Sequence, residues 1–283
     1  MALLACCAPA SAPSAVSSGP VPASDYAVAR AGFHTHLVKH GPFSPRWRPF
    51  TLPDDAHAVD YESSGLRLRA WRSRAADAGR RPTVLFVHGG ASFDAADWQM
   101  SQPFRDAGFI VMMPVLRSEN GQPGDYSMFY DEVDDVLAAA DVLARQPDVD
   151  AQRIYLAGHS SGGSLALLAA LASHRFRAVA SFSGSPDFTR LVALPGADAV
   201  VPYDPGDARE VRMRSTFEFA AGFTCPARLF WGNEEPGVAD DNLGTVQRAR
   251  AAGLDVEGIE VAGDHETMVA PAIVQAIEFF RQR

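Results

Sequence analysis

A chain of 283 residues, 47% hydrophobic and 21% charged, is long enough to bury a sizeable core as one large domain or two small ones. Its formal charge of −9, from 34 acidic against 25 basic residues, contains no long block of one sign, so a nucleic-acid partner is not expected. No segment reaches the roughly 18–20 uninterrupted apolar residues of a bilayer span, and the nearest, the Ala/Leu run after Gly163, is closed by His174 and Arg175.

The first 24 residues, "MALLACCAPASAPSAVSSGPVPAS", pass from a short apolar run with two cysteines into a Pro/Ala/Ser tract without periodicity, which reads as a flexible linker. "LLAC" looks like the end of a bacterial lipoprotein signal with Cys6 as the lipidated residue, although only five residues precede it and no basic n-region is present. Export or lipid anchoring in a bacterial envelope is one expectation, and a cytoplasmic protein with a disordered tail is the other. Membrane contact is expected only through such an anchor. Residues 25–283 then form a single domain. Its one cysteine, Cys225, leaves no disulfide framework and is expected to pack as a hydrophobe.

From residue 54 short apolar runs alternate with longer amphipathic stretches, the pattern of a parallel sheet covered on both faces. "HAVDYES" and "LRLRAWRS", joined by Ser64-Gly65, read as an opening hairpin. "TVLFVH", "FIVMMPV", "RIYLAGH", "AVASFSG", "ARLFWG" and "VEGIEVA" follow as strands. "YDEVDDVLAAADVLARQ" carries Val133, Val136, Leu137, Ala140 and Leu143 on one helical stripe, with acidic residues in its first turn. "DNLGTVQRARAAG" and "APAIVQAIEFFRQR" read as helices for the same reason. The segment 187–224 is too long for an ordinary link. It forms either a small cap or a helix over 209–221 packed on the sheet.

The informative corner is "RIYLAGHSSGGSLALLAAL". A strand must turn into a helix there within about two residues, which forces the apex into a strained backbone conformation. Gly158-His159-Ser160-Ser161-Gly162 places glycines two before and two after the apex, the G-x-S-x-G arrangement that presents a serine at the carboxyl edge of a sheet. Ser160 is the expected nucleophile. Ser161, one place past the apex, is the rival, and a glycine-rich structural turn is the plain alternative.

A serine hydroxyl needs a base. Of the eight histidines, His34, His36, His40 and His57 fall in the amino-terminal part and are expected at the surface. His88 ends a strand, His159 should point away from the serine, and His174 ends the helix. His265, in "VAGDHETM" just after the last strand, is the candidate, with an ordinary surface histidine as its alternative. The orienting carboxylate should follow the preceding strand, where "NEEPGVADDN" offers Glu234, Glu235, Asp240 and Asp241. Glu235 is favoured for its nearness to the strand end and Glu234 is second; the aspartates are expected to open the next helix. "VLFVHGGASF" supplies Gly89 and Gly90, whose backbone N–H groups, with that of Ser161, are the expected oxyanion donors.

These pieces stand in the chain order oxyanion loop, serine, acid, histidine, and at this point the sequence resembles the α/β-hydrolase superfamily from about residue 57 to the carboxyl terminus. It is most similar to the prolyl-oligopeptidase and dienelactone-hydrolase branch in "HGG", "PVLRSENGQPGDY", "DVLARQPDVDAQRIYLAGHSSGG", "WGNEEPGV" and "GDHETM". The resemblance implies an eight-stranded, mostly parallel sheet with helices on both faces. Two departures stand out. The branch commonly carries aspartate where this chain offers Glu235, and its peptidases carry a β-propeller ahead of the catalytic domain, for which the roughly 80 residues before "TVLFVH" are too few.

The expected activity is therefore hydrolysis of a small-molecule carboxylic ester through an acyl-enzyme. A peptidase or amidase acting on short peptides is the alternative, and an acyltransferase or non-catalytic binding protein ranks lower. No cofactor or metal is implied, since "HGGASF" lacks the Lys-Ser/Thr of a P-loop and Asp264 with Glu266 reads more simply as a polar loop. Phe93, Trp98, Tyr130 and residues 191–203 could line a substrate pocket, with ordinary core packing ranked ahead. Neither the oligomeric state nor the identity of the ester follows from the sequence.

Overall fold

The strand sequences without a polar face are covered on both sides. The computed structural model describes residues 25–44, 47, 51, 53–74, 79–193 and 195–283, so the signal-like segment and linker expected over 1–24 lie outside the described residues. Strands β1 (Ala56–Ser63), β2 (Leu66–Ser73), β3 (Arg81–Val87), β4 (Ile110–Pro114), β5 (Val149–His159), β6 (Val179–Phe182), β7 (Ala227–Gly232) and β8 (Val256–Val261) form one eight-stranded sheet in the order β1-β2-β4-β3-β5-β6-β7-β8. The pairs β1–β2 and β2–β4 are antiparallel; every pair from β4 through β3 to β8 is parallel. Ser64 and Gly65 both have positive φ, 49° and 79°, as a two-residue hairpin turn matched to strand twist requires.

The helices are α1 (Tyr26–Ala31), α2 (Ala95–Met100), α3 (Gln102–Asp106), α4 (Glu132–Ala144), α5 (Ser161–Ala172), α6 (Phe188–Val192), α7 (Ala197–Val200), α8 (Ala208–Arg212), α9 (Pro236–Ala251) and α10 (Val269–Arg281). Alternate residues of the central strands feed two cores. Leu85, Val87, Ile110, Met112, Ile154 and Leu156 pack with α1, α4, α5 and α9 on one face. Val84, Phe86, Val111, Met113, Tyr155 and Ala157 pack with α2, α3 and α10 on the other. Helix α5 is buried from Gly162 to Leu171, which is why its sequence shows no polar stripe.

Two boundaries differ from the sequence reading. Helix α9 begins at Pro236, five residues before "DNLGTVQRARAAG", because proline needs no hydrogen bond for its missing N–H in a first turn. Asp240 and Asp241 consequently lie in its second turn, and Glu235 occupies the cap. The single helix considered over 209–221 is broken into α8 and a 3₁₀ segment at Thr216–Gly222, with Ser215 extended between them. The break turns Arg214 inward, where it is 1% exposed. Its guanidinium donates to Glu210, to the Thr35 hydroxyl, and to the carbonyls of Ser127 and Met128, so the loop before α4 and the segment after α1 are tied to one buried cation. With its partners in place the ion pair is tolerated; a buried charge stripped of them is not.

Because the strands from β4 to β8 run parallel, the segments after β3, β5, β7 and β8 all emerge at one edge of the sheet, where open α/β sheets place their sites.

Candidate active site

Ser160 sits between β5 and α5 with φ 55° and ψ −121°, a conformation costly for a residue with a side chain and worth about 1–3 kcal/mol of strain. It is held there from both sides. Ser160 N donates to Phe182 O at 2.8 Å, and Ser160 O accepts the first helical bond from Ser164 N at 3.1 Å. The flanking glycines are required by close approach: a Cβ on Gly158 would lie 2.2 Å from Gly162 O, and one on Gly162 would lie 2.2 Å from Val87 O.

Ser160 Oγ lies 2.9 Å from His265 Nε2, and His265 Nδ1 lies 2.6 Å from Glu235 Oε1. The carboxylate only accepts, so Nδ1 carries the proton and Nε2 is left to accept from the serine hydroxyl. Glu235 Oε2 takes further hydrogen bonds from Ser183 Oγ at 2.6 Å and Gly232 N at 2.9 Å. Burial pushes the Glu235 carboxyl up, but the donors from Ser183, His265 and Gly232 outweigh it and hold the group below its ordinary value. Of the other sequence candidates for the acid, Asp241 pairs with Arg190 at 2.5 Å, with Asp240 on the same guanidinium at 3.6 Å. Ser161, the rival serine, donates its hydroxyl to Gly90 O at 3.1 Å.

The His265 loop is fixed by its neighbours. Asp264 accepts from the backbone of Glu266 and Thr267 and from the Thr267 hydroxyl. His159, which the sequence placed away from the serine, lies beside the base instead: its ring centre is 4.9 Å from that of His265, and its Nε2 donates to His265 O at 3.0 Å. His159, His265 and Glu266 are the one group of possible metal ligands among the described residues, but the His265 ring nitrogens face Glu235 and Ser160. A metal there would have to displace the serine or the carboxylate.

The loop after β3 approaches from the opposite side. A Cβ on Gly89 would meet Ser160 Cβ at 3.2 Å, and Gly90 adopts φ 74°. The Ser161 N–H opens helix α5, where no carbonyl of the helix precedes it. Behind this loop His88, 2% exposed, places Nδ1 2.9 Å from Gly89 O and Nε2 2.9 Å from Glu119 Oε2. With an acceptor at each nitrogen the ring is held as the imidazolium. Burial by itself would lower its pKa; the Glu119 carboxylate prevails and raises it from 6.5 to about 9. A histidine raised in this way contributes its full stability below the unfolded value and loses it as pH climbs through the folded one. Unfolding free energy should therefore drop by about 3 kcal/mol between pH 6.5 and 9. Urea titrations across that window should show the slope in the native protein and a flatter one in His88→Gln; equal slopes would remove His88 as its source.

An apolar cavity of about 340 Å³ opens beside Ser160 and His265. Met128 and Phe129 form part of its wall, both at positive φ, 56° and 71°, with the Met128 carbonyl held by Arg214. Phe188 and Leu191 of α6, Val200 of α7 and Val238 of α9 close other sides, and Phe43 and Tyr126 stand in contact at 5.1 Å between ring centres. Helices α6 and α7 of the 187–224 segment thus border the site. Phe93, Trp98 and Tyr130 belong to the cores instead, while Leu191 and Val200 are the parts of the 191–203 stretch that reach the cavity. Sequence reading missed Ser183, Glu119 and the role of His159. Ser183 stands at φ 50° after β6, a turn the sequence does not mark, and nothing local marked the others.

The sequence pattern of the alpha/beta hydrolase family matches residues 84–274. An uncharacterized peptidase, YtmA of Bacillus subtilis (strain 168), is 28% identical over 120 residues, which are 41% of this chain and 45% of that protein. A puromycin-hydrolyzing peptidase of Mycobacterium tuberculosis superposes on 81% of this chain and 40% of its own, with a TM-score of 0.69 and 22% identity. An esterase of the bacterial hormone-sensitive lipase family superposes on 82% of this chain and 86% of its own, with a TM-score of 0.61 and 22% identity. The chain thus spans less than half the length of these two peptidases.

Proposed function

Since the chain belongs to the alpha/beta hydrolase family, we propose that it is a serine hydrolase that cleaves carboxylic esters with Ser160 as nucleophile, His265 as base and Glu235 as the orienting acid. The observation that carries this reading is the unbroken line of hydrogen bonds from Ser160 Oγ through His265 to Glu235, opening onto an apolar cavity.

In this reading Ser160 Oγ attacks the ester carbonyl carbon as its proton passes to His265 Nε2. The carbonyl oxygen takes the negative charge and is met by the N–H groups of Gly89, Gly90 and Ser161 at the amino terminus of α5. The imidazolium then protonates the departing alkoxide, leaving an acyl-serine and an alcohol. Water repeats the attack with His265 again as base, releasing the carboxylic acid and restoring Ser160. Glu235 stabilises the imidazolium and keeps Nδ1 protonated throughout.

Cleavage of peptidyl amides by the same groups is the second reading, favoured by the likeness to the two peptidases. The ester reading is preferred because the described cavity wall is mostly apolar and offers an extended peptide few unspent polar partners. Intact-mass spectrometry after a fluorophosphonate, followed by a panel of acyl esters and peptidyl amides, tests both. A single adduct with ester turnover supports the proposal. Selective amide cleavage favours the peptidase, and no adduct on folded protein points to a non-catalytic binding role.

Glu235→Gln should lower kcat by roughly 10³–10⁴-fold with little change in KM, because an amide in that place can present an N–H to Nδ1 and favour the wrong tautomer. Rates equal to the native protein would transfer the role to Glu234 or Asp240.

A further inference from the structure

Among the described residues that line the cavity beside Ser160, His265 is the only one with an ionisable side chain other than the Tyr126 phenol. Several charges on the surrounding elements already have partners. Arg190 of α6 pairs with Asp241, and Asp187 caps the amino terminus of its own helix. Arg214 and Glu132 lie behind the Met128–Phe129 wall, with Arg214 bound to Glu210 and to backbone carbonyls, and Glu132 accepting from Ser127 N and Oγ. An anionic substituent entering this space gives up part of its water, finds no cationic side chain among the lining residues and faces aromatic rings whose electron-rich faces repel it, which is unfavourable.

The wall has a second property. Phe129 and Phe188 meet edge to face, with ring centres 5.1 Å apart at 89°, and Phe43 and Tyr126 make another aromatic pair. Rings so arranged present both edges and faces to a further ring. The backbone bonds of Arg214 to Ser127 and Met128 keep the φ-strained part of the wall in place before any substrate arrives. That reduces the ordering cost of binding.

We infer that the cavity is an acyl-group pocket selective for neutral aromatic acyl esters, and that it rejects esters of the same shape carrying a permanent negative charge. The inference deepens the ester reading and rests on Ser160 being the nucleophile. It makes Leu191 and Val200, half-exposed on two different helices, specificity-determining positions.

The test compares 4-nitrophenyl 3-(4-tert-butylphenyl)propanoate with its 4-sulfonato analogue, each rate divided by that for hydroxide, and with 4-nitrophenyl acetate as reference. The neutral aryl ester should exceed the anionic one by at least about 100-fold in kcat/KM and the acetate by at least about tenfold. Leu191→Lys and Val200→Lys should each cut the neutral-to-anionic ratio by at least about tenfold; two sites guard against the loss of one variant to misfolding. An anionic ester within about threefold of its neutral analogue, or an acetate better than both, overturns the pocket assignment while fluorophosphonate labelling of Ser160 still stands. Absence of both labelling and turnover overturns the nucleophile itself, and the pocket assignment with it.

Discussion

Ser160→Ala should lower kcat by about 10⁵–10⁶-fold for any ester the protein turns over, with folding unchanged. The substitution keeps Cβ, so the backbone at φ 55° is no more strained than before, and the side-chain bond it deletes is the one to His265. Helix α5 loses no cap, since the serine side chain makes no capping bond. His265→Ala should match it in size, because nucleophile and base act as one unit and their losses do not add. Single-turnover measurements on both variants and the double variant check this. Retention of more than about 1% of the native rate in Ser160→Ala would sink the assignment. Loss of the residual rate on further replacing Ser161 would then identify Ser161, now tied to Gly90 O, as the working hydroxyl.

The second large effect is on stability. Gly162→Ala should cost more than about 4 kcal/mol, or prevent folding altogether, because the new methyl would lie 2.2 Å from Val87 O and 2.3 Å from His88 O. Neither oxygen is a flexible tip: they belong to the end of β3 and the start of the loop beside the serine. Gly237→Ala is the control. It lies in the first turn of α9 with no atom within 4 Å of the added carbon, and should be neutral or stabilising by up to about 1 kcal/mol. Chemical denaturation of the pair measures the difference. A Gly162→Ala protein within about 1 kcal/mol of native would mean that β3 and α5 are not in such close contact.

The elbow was legible because all its determinants are local: a strand, two spaced glycines and an apolar helix within one run of sequence. The sheet was legible for a similar reason, since buried parallel strands advertise themselves as short apolar runs. Glu235 was harder. Four carboxylates followed β7; the start of α9 at Pro236 carries Asp240 and Asp241 a turn away, and Glu235 is told from Glu234 only by its hydrogen bond to His265. The cavity was legible only in Leu191 and Val200. Its remaining wall comes from Phe43, residues 126–129, Phe188 and Val238, brought together by contacts across more than a hundred positions. Arg214 has the same character. In sequence it is one more basic residue in a charged stretch, and nothing nearby announces that it will be buried against Ser127 and Thr35.

That guanidinium divides the responsibilities of the site. The proposed reacting groups hang from the edge of the parallel sheet and are positioned by glycines and short backbone bonds; the Met128 side of the pocket hangs from Arg214, which also grips the Thr35 and Glu210 segments, and from Glu132 through Ser127. The two supports share no member. Losing Arg214 would leave Glu210 buried without its cation and should disturb the Met128 side of the pocket first, whereas the hydrogen bonds from Ser160 through His265 to Glu235 draw on none of the same residues.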